Sequence, residues 1–186
     1  MKLCRPLLKC VVASFLATVV LTQPSLAQED EIEALLNGLQ TADPAAAAQI
    51  EQRIYQIWSQ SGSPSMDLLL ERGREALTEG DTKLAIEHFS ALVDHAPEFA
   101  EGYNARATAY FQEGRLGLSL DDIRNVLILN PDHFSALSGL ALILEQMGQP
   151  EAALEAWREV EKLHPNRDGL ADAKQRLERE VEGRSL

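Results

Sequence analysis

Cysteine is almost missing from this chain: there are two, Cys4 and Cys10, both close to the start. From residue 28 onward no thiol remains, which excludes disulfide staples, thiolate zinc sites and cysteine nucleophiles there. Basic charge is also scarce, with 17 Lys and Arg against 29 Asp and Glu and a net charge of −12. Such a surface repels phosphate backbones and anionic head groups, so neither a nucleic acid nor a lipid surface is an expected partner. It favours solubility and leaves room for a basic partner. Only one long apolar run occurs, residues 11–21, and its 11 residues fall short of the roughly 20 that span a bilayer as a helix. No Walker loop, dinucleotide fingerprint or nucleophile elbow appears; "GLSLD" (117–121) lacks the second glycine of an elbow.

What is present begins with a leader. Lys2, Arg5 and Lys9 precede the apolar run, and the small residues Ser25 and Ala27 follow it, the pattern read by signal peptidase. Residues 1–27 are therefore expected to be a signal peptide cleaved after Ala27. Neither cysteine sits at that junction, so a lipid anchor is not expected. Cleavage would remove three basic residues and no acids, moving the net charge from −12 to −15. No N-x-S/T sequon follows residue 27, which suits a bacterial periplasmic protein, with secretion the second choice. Stable membrane insertion after cleavage is not expected.

Three stretches then combine a histidine, a proline and a nearby acid: "VDHAPEFAEGY" (93–103), "LILNPDHFSAL" (127–137) and "KLHPNRDGL" (162–170). They could be a scattered catalytic or metal constellation, or punctuation. Pro97, Pro131 and Pro165 lie 34 residues apart, and Gly80, Gly114 and Gly148 keep the same interval. A 34-residue period is the mark of stacked helix–turn–helix units. Small residues recur five positions after each Gly (Ala85, Ser119, Ala153), and large apolar ones four further on (Phe89, Ile123, Trp157). First helices are expected to open near Leu69, Tyr103 and Leu137.

On these residues the chain resembles the tetratricopeptide repeat family over 66–99, 100–133 and 134–167. Repeat two fits with Tyr103, Ala107, Tyr110, Ser119, Ile123 and Pro131; repeat one with Leu69, Gly73, Ala85, Phe89 and Pro97; repeat three with Leu137, Leu140, Ala141, Ala153, Trp157 and Pro165. Repeat one departs at Arg72, where the family favours Leu. The implied fold is all-α, an α-solenoid of three stacked tetratricopeptide helix–turn–helix repeats with helical caps at both ends. The physical logic is independent of the name. Small residues let paired helices approach closely, the large residue fills the wedge, Gly suits a left-handed helix end, and Pro stops the second helix. No unit buries its apolar face alone, so neighbours must stack.

The flanks read as caps. Residues 28–65 form the N-terminal one: a short helix with Ile32, Leu35, Leu36 and Leu39 on one face, then a second. The second has Asp43 as N-cap and Pro44 at its first position, and a stripe of Ala47, Ile50, Ile54, Ile57 and Trp58. These two degenerate helices are expected to precede the three repeats. Residues 168–186 form the closing helix, with Leu170, Ala173, Leu177 and Val181 on one stripe. "IYQIWSQSGSPSMDLLLERG" (54–73) also looks like the N-terminal region of exported bacterial tetratricopeptide proteins of unassigned role.

The chemistry expected is correspondingly plain. His95, His164 and His133 fall at repeat positions 30, 31 and 34, and successive repeats are displaced by roughly 10 Å. Zinc ligands about 2 Å from one ion cannot come from such positions, so neither a metal nor a cofactor is expected. The pair Asp121–Asp122 is expected on a solvated face, and no catalytic residue is assigned. The resemblance implies a protein or peptide partner in a concave groove, lined here by Arg74, Leu77, Asn104, Thr108, Phe111, Ser138, Leu142 and Gln146. The family's carboxylate clamp is absent, because its positions carry Leu70, Arg74, Ala105, Ser135 and Gly139. The alternatives are an envelope assembly factor acting through oligomerisation, and a hydrolase or metalloenzyme with an unrecognised site.

Overall fold

The computed structural model describes residues 24–184, and all nine regular elements among them are α-helices. They are α1 (Pro24–Leu39), α2 (Pro44–Trp58), α3 (Pro64–Thr78), α4 (Thr82–His95), α5 (Ala100–Gln112), α6 (Leu116–Leu129), α7 (Phe134–Gln146), α8 (Pro150–Leu163) and α9 (Leu170–Arg184). Helices α3–α8 pair as α3/α4, α5/α6 and α7/α8 and stack in chain order, closed by α9 on α8. The chain is an α-helical repeat solenoid. The expected leader, residues 1–27, lies outside the described residues except for 24–27, which open α1.

The 34-residue period acts through local stereochemistry. Gly80, Gly114 and Gly148 sit at φ of 82°, 71° and 70°, the left-handed turn that ends each first helix and strains any side chain. Each second helix stops two residues before its proline, at His95, Leu129 and Leu163, because the residue before proline is driven to extended backbone. Its replacement conformation is visible in Ala96, Asn130 and His164, with φ between −133° and −144°.

Between paired helices the small residues are buried as expected. A Cβ on Gly73 would lie 2.2 Å from the Phe89 ring, so α3 and α4 touch through backbone and ring. In repeat two the Ser119 hydroxyl donates 2.7 Å to the Ala107 carbonyl, and in repeat three Trp157 Nε1 donates 2.9 Å to Glu145. One expectation is corrected here. Asp121 is exposed, but Asp122 is buried and accepts two 2.8 Å hydrogen bonds from Arg106. Its hydrogen bond raises the Arg106 pKa, against the opposing effect of burial, and the guanidinium lies over the Tyr103 and Tyr110 rings. Arg106 occupies position 7 of its repeat, so α5 and α6 are joined by an ion pair beside their small-residue contact.

The N-terminal pair forms with the expected cap: Asp43 accepts from the backbone N–H groups of Ala45 and Ala46, each at 3.0 Å. Its location differs from a leading layer on repeat one. Leu39, Ala47 and Ile54 bury against Phe134, with Trp58 and Leu163 packed at the edge. The hairpin therefore folds back along the turns between repeats, and α1 approaches α8.

A candidate binding groove walled by α2

Position 34 of repeats two and three supplies docking points for the hairpin, and that of repeat one borders a cavity beside it. Phe99, His133 and Arg167 are 34 residues apart. Phe99 lines one cavity with Ile57 and Trp58. The His133 ring stacks on Trp58 at 4.1 Å between centroids and 19° between planes. Arg167 donates to Glu51 and, at 3.0 Å, to the Tyr55 hydroxyl. Glu51 and Trp58 are seven residues apart, about 10 Å of helix, which is close to the displacement between successive repeats. Helix α2 thus lies across the stack as a strut with matching spacing.

Along this strut the contacts are polar as well as aromatic. His164 Nε2 lies 3.1 Å from Glu51, and the Tyr55 and Ser135 hydroxyls are 2.8 Å apart. Burial opposes ionisation of Glu51, yet hydrogen bonds from His164 and Tyr55 and the Arg167 charge hold its pKa below the ordinary 4.5. Burial pushes the Tyr55 phenol up to about 12, although its hydrogen bond to Ser135 works the other way.

Helix α2 thereby becomes one wall of the concave surface. Gln52, Tyr55, Gln56 and Ser59 share a concavity of about 740 Å³ with Arg74, Glu101, Asn104 and Ser135. A second, of about 720 Å³, runs along α3 past Asp67, Glu71, Arg74, Glu75 and Glu79. A third, of about 240 Å³, lies between α5 and α7 and includes Asn104, Ala107, Thr108, Phe111, Ser135, Ser138, Leu142 and Arg167. Ser59 and Arg74 join the first two, and Asn104 and Ser135 join the first and third. The result is one groove from α3 to α7.

The eight residues expected there divide unequally. Asn104, Thr108, Phe111, Ser138 and Leu142 meet in the α5–α7 concavity, and Arg74 reaches the two nearer α3. Leu77 packs instead against the core of repeat one, and Gln146 is exposed at the end of α7. Within the concavity Ser138 is buried and its hydroxyl donates 2.8 Å to the Phe134 carbonyl, so it offers shape rather than a hydrogen bond. Thr108 donates to the Asn104 carbonyl at 3.0 Å, which leaves its lone pairs facing out.

A buried carboxylate organises the middle of the groove. Glu101, 6% exposed, accepts from Arg74, from Asn104 Nδ2 at 3.1 Å and from His133 Nε2 at 3.2 Å. His133 is no free turn residue. Its Nδ1 accepts the Ala136 N–H at 3.2 Å and caps α7, which places the ring hydrogen on Nε2, directed at Glu101. Among the described residues no three His, Cys, Asp or Glu side chains gather as a metal site, and no helix is long and apolar enough to cross a membrane.

The hub role of Glu101 and the groove positions of Tyr55, Ser59 and Arg167 were missed: Tyr55 and Ser59 lie outside the repeats, and Glu101 and Arg167 act through partners that repeat spacing does not describe. One signal was available: Tyr55 sits beside an aliphatic stripe that already carries Trp58, which makes that face unusually aromatic for a solvated cap.

Comparison with known proteins agrees with this architecture. The sequence profile described as tetratricopeptide repeat matches residues 70–124 and 105–168, together more than half of the chain. A TPR repeat-containing protein of Rhizobium etli is 35% identical over 66% of this chain, which spans 60% of that relative. The solved first TPR of Spaghetti (RPAP3), bound to the HSP90 peptide SRMEEVD, aligns with a TM-score of 0.61 and 21% identity, covering 62% of this chain and 92% of that one. A MamA mutant aligns over 84% of this chain and 89% of its own, with a TM-score of 0.54 and 16% identity. At such identities the two structures share a fold with this protein and no more. The profile match, the 34-residue spacing and the stacked helix pairs together make this chain a member of the tetratricopeptide repeat family.

Proposed function

We propose that the protein is an exported, non-catalytic scaffold that holds a protein or peptide partner in the groove between α3 and α7. The observation that carries this reading is the α5–α7 concavity. Leu142 is 42% exposed there beside Phe111, with the Asn104 amide at its rim. An apolar recess edged by amide and hydroxyl groups suits a side chain flanked by backbone. The fold supports this, since relatives of this architecture are typically interaction modules, and one of them is solved with an HSP90 peptide. A groove held by packed helices loses little entropy when it binds.

Export is proposed from the leader pattern of residues 1–27, with the periplasm as first destination and secretion as second. Native protein whose N-terminal residue is Gln28 is the expected finding on sequencing, and retention of Met1 would oppose it. For the groove, capture of the native partner should drop about tenfold when Asn104→Ala is combined with Leu142→Ser. Undiminished capture would defeat the proposal.

A second reading, an assembly factor that oligomerises, is favoured by Leu118, Ile128 and Leu129, all exposed on α6, with Ile128 at 70%. Sedimentation should then show self-association that Ile128→Glu abolishes; a strict monomer would exclude it.

A further inference from the structure

The charges along the groove are distributed unevenly, and this bears on what it can hold. Two cations line it, Arg74 and Arg167. Arg74 is engaged by Glu101 and by Ser59 at 3.0 Å. Arg167 is engaged by Glu51 and Tyr55. Each cation is thus already offset by a carboxylate of the protein, and drawing Arg74 fully away from Glu101 would leave that buried carboxylate without its cation. The internal ion pairs therefore weaken the groove's attraction for an acidic ligand.

At the α3 end the opposite holds. Glu71, Glu75 and Glu79 follow one another at four-residue intervals, all exposed along the wall of the groove. None forms an ion pair or a side-chain hydrogen bond among the described residues. Like charges at this spacing destabilise a helix by about 0.2–0.5 kcal/mol per pair. Glu79 caps the C-terminus of α3, where the helix dipole disfavours an acid. Folding gains nothing from this row. Beyond it the groove turns apolar, at Phe111 and Leu142. Asn104 directs its amide N–H at Glu101 and keeps its carbonyl for a ligand N–H.

We propose that the partner segment is cationic at one end and carries a bulky apolar side chain at the other. Lysine or arginine lies over Glu71, Glu75 and Glu79, and leucine or phenylalanine enters the α5–α7 recess. The recess lies between one and two repeat spacings from α3, about 15 Å, or about five residues of extended chain. The overall charge of −12 steers such a segment toward the protein. This inference rests on the groove reading above and adds the chemistry of the occupant.

Selection of a random-peptide library on the purified full chain tests it. The expected winners carry net positive charge and a leucine or phenylalanine about five residues from the charged cluster. A winning peptide should bind about tenfold more weakly to the E71Q/E75Q/E79Q variant at 0.15 M salt, and more weakly again to Leu142→Ser. The triple variant should fold at least as stably as the parent, so lost binding reports charge. Winners of neutral or acidic composition that still depend on Leu142 would overturn the charge assignment and leave the groove reading standing. Winners indifferent to Leu142→Ser, or no winners, would overturn both. Self-association that Leu142→Ser abolishes would overturn the peptide in favour of a second copy of the chain.

Discussion

The three stacked repeats and the α1–α2 hairpin are both helical pairs with buried apolar stripes, yet they are held by different chemistry. Within the repeats, cohesion comes from close approach: Gly73 under Phe89, Ser119 on Ala107, Ala141 and Ala153 beside Trp157. The hairpin meets the stack through rings and charged hydrogen bonds, Trp58 on His133 and Glu51 with His164 and Arg167. The first kind of contact depends on shape. The second depends also on protonation, and it borders the groove directly.

Substitutions can separate the two. Trp157→Ala removes the wedge of repeat three and should cost about 3–5 kcal/mol, lowering the thermal midpoint of the whole stack in calorimetry. Trp58→Ala should cost about 2 kcal/mol, less because the ring is only half-buried. Its effect should be local: hydrogen exchange rises in α1 and α2 while α3–α8 stay protected. Uniform loss of protection would show that the hairpin and the stack form one cooperative unit. Gly73→Ala should destabilise by about 1–2 kcal/mol in chemical denaturation, although alanine is the better helix former by about 1 kcal/mol, because the added methyl meets Phe89.

The smallest effects come from pH. Glu51 has a folded pKa below 4.5, so its contribution is complete above the ordinary carboxylate value and is lost as pH falls through the lowered one. Tyr55 is raised from 10.0 to about 12, so its contribution is complete below the ordinary value and is lost as pH rises through the raised one. Hairpin docking, followed by Trp58 fluorescence in a Trp157→Phe background, should be flat at neutral pH and weaken at both extremes. Of the 3 tyrosines, one should ionise near pH 12 in an absorbance titration.

The repeats were legible in the sequence because their chemistry is local and recurs. A glycine at each left-handed turn, a small residue at each crossing and a proline after each second helix leave the same trace every 34 residues. The cap at Asp43 was legible for the same reason. The docking of α2 was not, since Tyr55 and Ser135 are 80 residues apart and Glu51 and Arg167 are 116, and neither pair belongs to a repeating pattern. Asp122 misled because adjacent acids look alike in sequence, while on a helix they face directions about 100° apart. Only one of them met Arg106. In the groove, the structure gathers Asn104, Phe111 and Leu142 in one recess, but Ser138 and Arg74 have internal partners that no spacing discloses.

The central claim is that recognition takes place on the concave side between α3 and α7. Amide chemical shifts of the labelled protein, recorded as a selected peptide is added, test it most directly. The account predicts the largest changes at Glu75, Asn104, Thr108 and Leu142, with little change along α4, α6 and α8. Changes centred on Leu118, Ile128 and Leu129 of α6, with the groove amides unmoved, would contradict it.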